Sequence, residues 1–165
     1  MRRSIRLVLA ASTAALAAVA LLLPGCKDAP TAVAPQNLTP VYWTPYGQAL
    51  ERAQRENKPL MVFFYTQWCG WSKKMDEATF GDSSVAQYLR ANFVTAHIDA
   101  ESAAAIGVGD NMTSGMRLAS VFGVNSFPTT WFLTATGDRI DRTLGYVAAA
   151  PFLQTLVTIH EHPVP

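Results

Sequence analysis

Six consecutive apolar residues, Leu60–Tyr65, constrain the fold more than any other feature of the sequence. Such a run is typical of a β-strand that is buried on both faces. The pair Lys58-Pro59 ends the helical pattern before it, because a residue that precedes proline avoids the helical conformation. After a break at Thr66-Gln67, the segment Trp68–Met75 is expected to open a helix. The sequence thus predicts a buried strand that turns sharply into a helix.

From Tyr46 onward, helical and strand patterns alternate along the chain. The further predicted helices are Tyr46–Asn57, Ser83–Ala91, Ser114–Phe122 and Ala148–His160, and the further predicted strands are Phe93–Ile98, Thr129–Leu133 and Arg139–Arg142. The segment Ala100–Thr113 is rich in Gly and Ala and is predicted to be a loop or insertion. The predicted order of elements is therefore α-β-α-α-β-α-β-β-α.

Length and composition limit the class of protein. The chain has 165 residues, half of them apolar and 15% charged, which suits one ordinary domain with a real core. Its 13 basic and 12 acidic residues give a net charge of +1. Without the three arginines among the first six residues, which we expect to be cleaved off, the net charge is −2. Neither value fits the strongly basic surface of a nucleic-acid binder, so we expect no nucleic-acid partner.

The first 26 residues have the features of an export signal. Met1–Arg6 is short and basic, and Leu7–Leu23 is an uncharged run of 17 residues, a little short for a membrane span. The sequence Leu23-Pro24-Gly25-Cys26 resembles the bacterial lipoprotein processing box, in which the cysteine is acylated and becomes the new N-terminus. We expect residues 1–25 to be a lipoprotein signal peptide. An ordinary secretory signal and a retained transmembrane anchor are the alternatives.

Acylation of Cys26 would decide where the protein works. Two or more acyl chains hold a protein stably on a membrane, so we expect a domain on the periplasmic side of the bacterial envelope. Residues 26–45 contain a proline at every fifth position from 30 to 45 and show no apolar periodicity, which predicts an extended tether. Val41-Tyr42-Trp43 is expected to pack back on the domain, which spans residues 46–165.

Cys69 stands where a thiol becomes reactive. The chain contains two cysteines, Cys26 and Cys69, too few for a disulfide framework or a multi-cysteine zinc site. The N–H groups and partial positive charge of a helix N-terminus favour the thiolate, which is the nucleophilic form. Lys73 and Lys74 add positive charge nearby, although solvent screens it. We interpret Cys69 as a reactive thiol; the alternative is an inert buried cysteine.

Two motifs resemble the thioredoxin superfamily. They are Phe63–Ser72, which contains Trp-Cys-Gly-Trp-Ser, and Phe127-Pro128-Thr129-Thr130, whose proline lies 59 residues after Cys69. The resemblance covers roughly Tyr46–Glu161. It implies an α/β thioredoxin-like three-layer sandwich, with a central mixed β-sheet and helices on both faces.

Within that superfamily the chain resembles the C-terminal domain of a bacterial periplasmic thiol–disulfide reductase. In that branch a Thr-Phe pair, here Thr79-Phe80, and an aspartate, here Asp82, follow the redox helix. The resemblance also implies that Pro128 is a cis proline facing the reactive cysteine, which leaves the backbone of Phe127 able to pair with an extended substrate. A strand-edge proline is the alternative. The expected substrate-binding residues are Trp68, Gly70, Trp71, Phe127 and Pro128.

The sequence departs from the family at two positions. The fourth residue of the usual Cys-x-x-Cys motif is Ser72, which cannot form a disulfide. Many family members carry a buried aspartate six residues before the first cysteine, and that position here is Phe63. With Cys26 acylated, the mature domain has one thiol. Ser72 is expected to donate a hydrogen bond to the Cys69 thiolate and lower its pKa; the alternative is that Ser72 only caps the helix.

These departures predict monothiol chemistry. We expect Cys69, with Ser72, to attack a disulfide and hold the partner as a mixed disulfide until an external thiol resolves it. This suits isomerisation, deglutathionylation or reduction of a sulfenic acid. The expected partners are protein thiols and disulfides, with an external thiol reductant. The alternative is a non-catalytic peptide-binding or assembly module.

We expect no metal and no cofactor. Cys69-Gly70-Trp71-Ser72 resembles the Cys-Gly-Phe-Ser motif of monothiol glutaredoxins, which share an iron–sulfur cluster, but export and the tryptophan before the cysteine argue against that function. His160-Glu161-His162 lies at the chain end and is predicted to be a solvated tail rather than a metal site. His97 is interpreted as a packed or edge histidine.

Overall fold

The computed structural model describes residues 41–107 and 112–162. The predicted signal peptide, Cys26 and most of the predicted tether lie outside the described residues. The described residues form these elements: α1 (Tyr46–Glu56), β1 (Leu60–Tyr65), α2 (Gly70–Ala78), α3 (Ser83–Asn92), β2 (Val94–Asp99), α4 (Gly115–Val121), β3 (Thr129–Leu133), β4 (Arg139–Leu144) and α5 (Ala149–Glu161). Their order is the predicted one.

The strands form one mixed sheet in the order β2-β1-β3-β4. The central strand β1 pairs in parallel with β2 and antiparallel with β3, and β3 pairs antiparallel with β4. Leu60–Phe64 are buried and Tyr65 is partly buried, as expected for a strand covered on both faces.

Helices cover both faces of this sheet, and alternate side chains of β1 contact different helices. Met61 and Phe63 belong to a core cluster with residues of α2, α3 and α5. Leu60, Val62 and Phe64 belong to a second cluster with residues of α1 and α4. The observed α/β three-layer arrangement agrees with the expected fold class.

Individual residues set several helix ends, Asn57 through its backbone and Asp82 and Ser114 through their side chains. Asn57 ends α1 with a φ of 49°, a left-handed conformation that asparagine tolerates well. The Asp82 carboxylate accepts hydrogen bonds from the N–H groups of Ser84 and Val85 at the start of α3, and Ser114 caps α4 in the same way. These side-chain caps fix where α3 and α4 begin.

The segment before α1 is part of the folded body. Val41 is buried, and the Trp43 ring lies edge-on to Phe80 with centroids 5.1 Å apart. Thr44 forms a parallel bridge with Ala96 at the edge of β2. Residues 41–45, which the sequence assigned to the tether, therefore pack on the domain, as expected for the first three of them. No helix among the described residues is long and apolar enough to cross a membrane.

The predicted loop Ala100–Thr113 is closed at its base. Ala105 forms an antiparallel bridge with Ser114, and the Ile106 N–H donates to the Thr113 carbonyl at 3.0 Å. Gly115 then begins α4 against the end of β2, where a side-chain Cβ would lie 1.9 Å from the Asp99 carbonyl oxygen. Only glycine permits this approach, which fixes the start of α4 beside the carboxyl ends of the parallel strands.

Candidate functional site

Cys69 is the N-cap residue of α2, directly after the turn that follows β1. Its N–H donates to the Thr66 carbonyl at 3.2 Å, and its own carbonyl accepts from the Lys73 N–H at 3.2 Å. The predicted helix over Trp68–Met75 thus begins two residues later, at Gly70, because Trp68 and Cys69 belong to the turn. Cys69 is 7% exposed, so a partner must approach the sulfur closely to reach it.

The thiol lies against the predicted proline loop. The Cys69 Sγ atom donates to the main-chain oxygen of Phe127 at 3.6 Å, and the Phe127–Pro128 peptide bond is cis. The expectation of a cis proline facing the cysteine is confirmed. The Phe127 N–H makes no hydrogen bond with another described residue. It is therefore able to pair with an incoming backbone.

The environment of the sulfur favours its anion. Burial raises the pKa of Cys69, but hydrogen bonds from the Ser72 hydroxyl and from the N–H groups of Ser72 and Trp71 outweigh burial and lower the pKa below its ordinary value. Ser72 is 1% exposed, and beside the neutral thiol its hydroxyl makes no hydrogen bond of standard geometry. The thiolate is thus the state that Ser72 stabilises.

Trp68 forms one wall beside the sulfur. It is 68% exposed, and its ring lies edge-on to Phe127 with centroids 6.2 Å apart. Its indole N–H donates to both carboxylate oxygens of Glu101, at 3.0 and 3.1 Å. Glu101 therefore fixes the ring orientation of an exposed tryptophan at the site. The sequence analysis did not identify Glu101, which lies in the loop after β2.

Trp71 forms a second exposed aromatic surface. Its ring contacts Tyr146 at 5.7 Å, and the Lys74 ammonium lies 5.0 Å and 4.9 Å from the centroids of these two rings. Lys74 is thus held by cation–π contacts. Apart from its two chain neighbours, a Cβ on Gly70 would meet no atom within 4 Å, so the surface at Gly70 is open. The expected substrate-binding residues lie around Cys69, and Tyr146 joins them.

The Thr79-Phe80 pair has a structural role in this fold. The Thr79 hydroxyl donates to the Val147 carbonyl at 2.6 Å and so ties the end of α2 to the segment before α5. Phe80 packs edge-on against Phe63, with centroids 4.9 Å apart. Phe63, at the position where many relatives carry an acid, is fully buried in this apolar cluster.

An acidic residue does lie near the site, but on α2. A cavity of about 290 Å³ is lined by residues that include Ser72, Thr66 and Asp76. The Asp76 carboxylate lies 3.2 Å from His97 Nε2, and the His97 ring stacks on Tyr65 at 4.1 Å. His97 is packed as interpreted, but its pairing with Asp76 was missed because the two residues lie on different elements.

His160 lies against a neighbouring helix. His160 Nδ1 lies 3.2 Å from the Tyr88 hydroxyl, so His160 contacts the helix α3 rather than extending only into solvent. Over residues 41–107 and 112–162, no group of three or more His, Cys, Asp or Glu side chains is arranged to hold a metal ion.

These features agree with a comparison against known protein families. A family model described as a thioredoxin-like domain matches residues 46–160. The chain belongs to the thioredoxin-like family. The match covers β1, the Cys69 turn and the cis-Pro128 loop, so the superfamily resemblance and the fold class expected from the sequence are both confirmed.

Individual relatives give more specific similarities than the family model does. The thiol:disulfide interchange protein DsbD of Vibrio vulnificus is 32% identical over 114 residues, which cover 68% of this chain and 18% of that protein. The solved structure of DsbH oxidoreductase has a TM-score of 0.64 at 18% identity, covering 82% of this chain and 95% of its own. The DsbD C-terminal domain of Neisseria meningitidis has a TM-score of 0.54 at 21% identity, covering 72% and 97%. The chain is thus distantly similar to the DsbD C-terminal thioredoxin domain and spans less than a fifth of the DsbD protein.

Proposed function

We propose that this protein performs thiol–disulfide exchange with a single thiol, on protein partners in the bacterial envelope. One observation carries the proposal: the Cys69 sulfur lies 3.6 Å from the Phe127 carbonyl beside cis-Pro128, and a serine, not a cysteine, occupies position 72. A nucleophilic sulfur therefore faces a backbone that can hold an extended chain, without a second thiol to expel that chain.

The exchange would proceed in two balanced steps. The Cys69 thiolate attacks one sulfur of a partner disulfide; a bond forms between the two sulfurs, and the other partner sulfur leaves as a thiolate. A second thiolate, from an external thiol or from another cysteine of the partner, then attacks the partner sulfur and releases Cys69 as a thiolate. Resolution by an external thiol leaves the partner in a mixed disulfide with that thiol, and a second external thiol must then displace the partner sulfur and form the disulfide of the external thiol before the partner is fully reduced. Resolution by another cysteine of the partner gives isomerisation. Ser72 stabilises Cys69 as the attacking and as the leaving group.

The location is part of the same proposal. The basic start, the apolar run Leu7–Leu23 and the cysteine at position 26 support export followed by lipid attachment at Cys26. Residues 26–40 would then link the bilayer to the folded domain. The DsbD relative is named a thiol:disulfide interchange protein, which supports the chemistry.

A second candidate is a peptide-binding module in which Cys69 does not react. It is favoured by one observation: Trp68 and Trp71 are 68% and 57% exposed, whereas Cys69 is 7% exposed. The accessible apolar surface is thus aromatic. In this case partners would bind without a covalent bond.

Trapping in the native envelope distinguishes the two functions. Cells expressing the wild-type chain, Cys69→Ala or Ser72→Ala are quenched with acid, alkylated and analysed on non-reducing gels with mass spectrometry of Cys69. Exchange predicts proteins bound through Cys69 in the wild type and none in Cys69→Ala. The absence of any mixed disulfide in the wild type, while partners copurify equally with Cys69→Ala, would establish the binding module instead.

A further inference from the structure

A negative charge is held in a fixed position on one side of Cys69. The Trp68 indole N–H donates to both carboxylate oxygens of Glu101, at 3.0 and 3.1 Å. This donor is neutral, so it positions the carboxylate without cancelling its charge. Glu101 forms no ion pair with any other residue that the structure describes. Its charge therefore stays available to a partner that binds beside the sulfur.

A positive charge is held on the other side. The Lys74 ammonium lies 5.0 Å from the centroid of the Trp71 ring and 4.9 Å from that of the Tyr146 ring. These cation–π contacts restrict a flexible side chain and leave its charge in place. Among the described residues Lys74 has no ion-pair partner, and it does not pair with Glu77 one turn further along α2. The lysine is thus ordered but uncompensated.

The topology of the sheet explains why these two charges lie apart. Glu101 follows the end of β2 by two residues, and Tyr146, which holds Lys74, follows the end of β4 by two residues. The strands β2 and β4 lie at opposite edges of the sheet. Both run in the direction of β1, because β2 is parallel to β1 and two antiparallel pairings relate β1 to β4. Their carboxyl ends therefore lie at the end of the sheet where β1 leads to Cys69, about 14 Å apart.

The reactive sulfur lies between the two charges. Cys69 follows the central strand β1, and Pro128 directly precedes its neighbour β3. The Gly145 N–H, one residue before Tyr146, donates to the Pro128 carbonyl at 2.7 Å and so joins the positive side to the proline loop. An extended chain rises about 3.3 Å per residue. About four residues of a bound segment would therefore reach from one charge to the other, with its reacting cysteine near the middle.

We propose that the exchange site selects partner segments that carry an acidic and a basic residue on opposite sides of the reacting cysteine. The acidic residue pairs with Lys74 and the basic residue with Glu101, each about two positions from the cysteine. This selection rests on the proposed exchange function and adds the charge pattern of the partner to it. Opposite charges at the two ends also fix the direction of the segment, because a reversed segment would bring like charges together.

Two peptides of identical composition and net charge test this selection. One has lysine two positions before its cysteine and aspartate two positions after it, the other has the reverse order, and a third has serine at both positions. Each cysteine is activated as a 2-thiopyridyl disulfide. The Cys69 thiolate attacks the peptide sulfur, a disulfide forms between them, and pyridine-2-thiolate leaves and takes up a proton. Absorbance of the released thione gives the second-order rate for the reduced, detergent-solubilised full chain, and mass spectrometry locates the peptide on Cys69.

We expect one charged isomer to react about threefold or more faster than the other, as suits two exposed ion pairs. This ratio should fall in Lys74→Gln and in Glu101→Gln, approach one in the double variant and in about 1 M salt, and persist in Lys74→Arg. Lys73→Gln is the matched control and should keep the ratio, because Lys73 is the neighbouring lysine on α2 but contacts neither ring. A change in thiol reactivity affects both isomers equally and cancels in the ratio.

Equal rates for the two isomers, while the uncharged peptide still reacts, would overturn the selection and leave the exchange function intact. A ratio that survives the double variant would also overturn it, since charges elsewhere would then be responsible. Failure of all three peptides to react would contradict the exchange function instead. Calorimetry with the same peptides, carrying serine in place of cysteine, then decides the selection. Unequal affinities that depend on Lys74 and Glu101 support it, and equal affinities refute it.

Discussion

The Cys69 thiol donates a hydrogen bond to the main-chain oxygen of Phe127, with sulfur and oxygen 3.6 Å apart. A thiolate has no proton to donate, so ionisation removes this contact. The same ionisation gives the Ser72 hydroxyl, which is unpartnered beside the neutral thiol, an acceptor. Deprotonation thus exchanges one hydrogen bond for another and releases the Phe127 carbonyl when the sulfur becomes nucleophilic.

The pH dependence of Cys69 alkylation tests this exchange. Burial raises the pKa of Cys69, but the hydrogen bonds from Ser72 and Trp71 lower it overall. We expect the iodoacetamide reaction of Cys69 to reach half its maximal rate at a lower pH than the reaction of a cysteine in an unstructured peptide. Rates are measured by mass spectrometry beside a cysteine-containing peptide. A midpoint equal to that of the peptide, or above it, would contradict the assignment.

Ser72→Ala separates reactivity from stability. Removal of the hydroxyl should raise the pKa of Cys69 and slow its alkylation at neutral pH, since the thiolate loses a donor. At a pH where the thiol is neutral, the free energy of unfolding should stay the same or rise by about 1 kcal/mol, because an unsatisfied buried hydroxyl is removed. Thr143→Val removes another unpartnered hydroxyl and should leave alkylation unchanged. Equal slowing in both variants would refute a specific role for Ser72.

The lowered pKa also fixes how stability depends on pH. Between the folded pKa of Cys69 and about 8.5, the unfolded chain binds more protons than the folded one, so the free energy of unfolding rises with pH. This contribution is complete above about pH 8.5 and is lost as pH falls through the folded pKa. Urea denaturation of the reduced protein and of Cys69→Ala should therefore show a difference that grows as pH rises through the folded pKa of Cys69 and levels off above about pH 8.5. A constant or shrinking difference would mean that the pKa is not lowered.

Much of the fold follows from local sequence patterns. The bounds of β1 and β3 were predicted without error. The apolar run between Pro59 and Thr66, and the β-branched and aromatic residues that follow Pro128, leave little choice. The end of β4 was predicted two residues too early, since the strand continues past Arg142 to Leu144 by pairing with β3. That pairing joins Leu144 to Thr129, and no local pattern encodes it.

Residues of the candidate site could be predicted where they lie within one short sequence motif. Cys69 and Pro128 follow from two short motifs, whereas Glu101, Tyr146 and Asp76 were missed. Each of these acts through a residue on another element: Glu101 through Trp68, Tyr146 through Trp71 and Asp76 through His97. Such contacts depend on how the elements pack, and an acidic residue on an exposed surface gives no sequence signal of its partner.

Gly115→Ala should destabilise the fold. A Cβ at this position would lie 1.9 Å from the Asp99 carbonyl oxygen, which is backbone and cannot rotate away. We expect a loss of about 2–3 kcal/mol in the free energy of unfolding. Gly70→Ala is the matched control: it meets no atom within 4 Å and lies in a helix, so stability should be unchanged or rise by up to about 1 kcal/mol. Urea denaturation with a constant m-value measures both, and equal effects would be inconsistent with the close approach.

Trp68 should matter for peptide partners and little for small disulfides. Its exposed ring, held by Glu101 and Phe127, offers apolar area at a low entropic cost. We expect Trp68→Ala to reduce the second-order rate of exchange with a peptide disulfide about tenfold, and with cystine less than about twofold. Glu101→Gln keeps an acceptor for the indole N–H and should retain most of the peptide rate, whereas Glu101→Leu removes it and should give an intermediate loss. Equal losses for peptide and cystine would show instead that Trp68 acts on the sulfur, because only the peptide extends far enough to contact the ring.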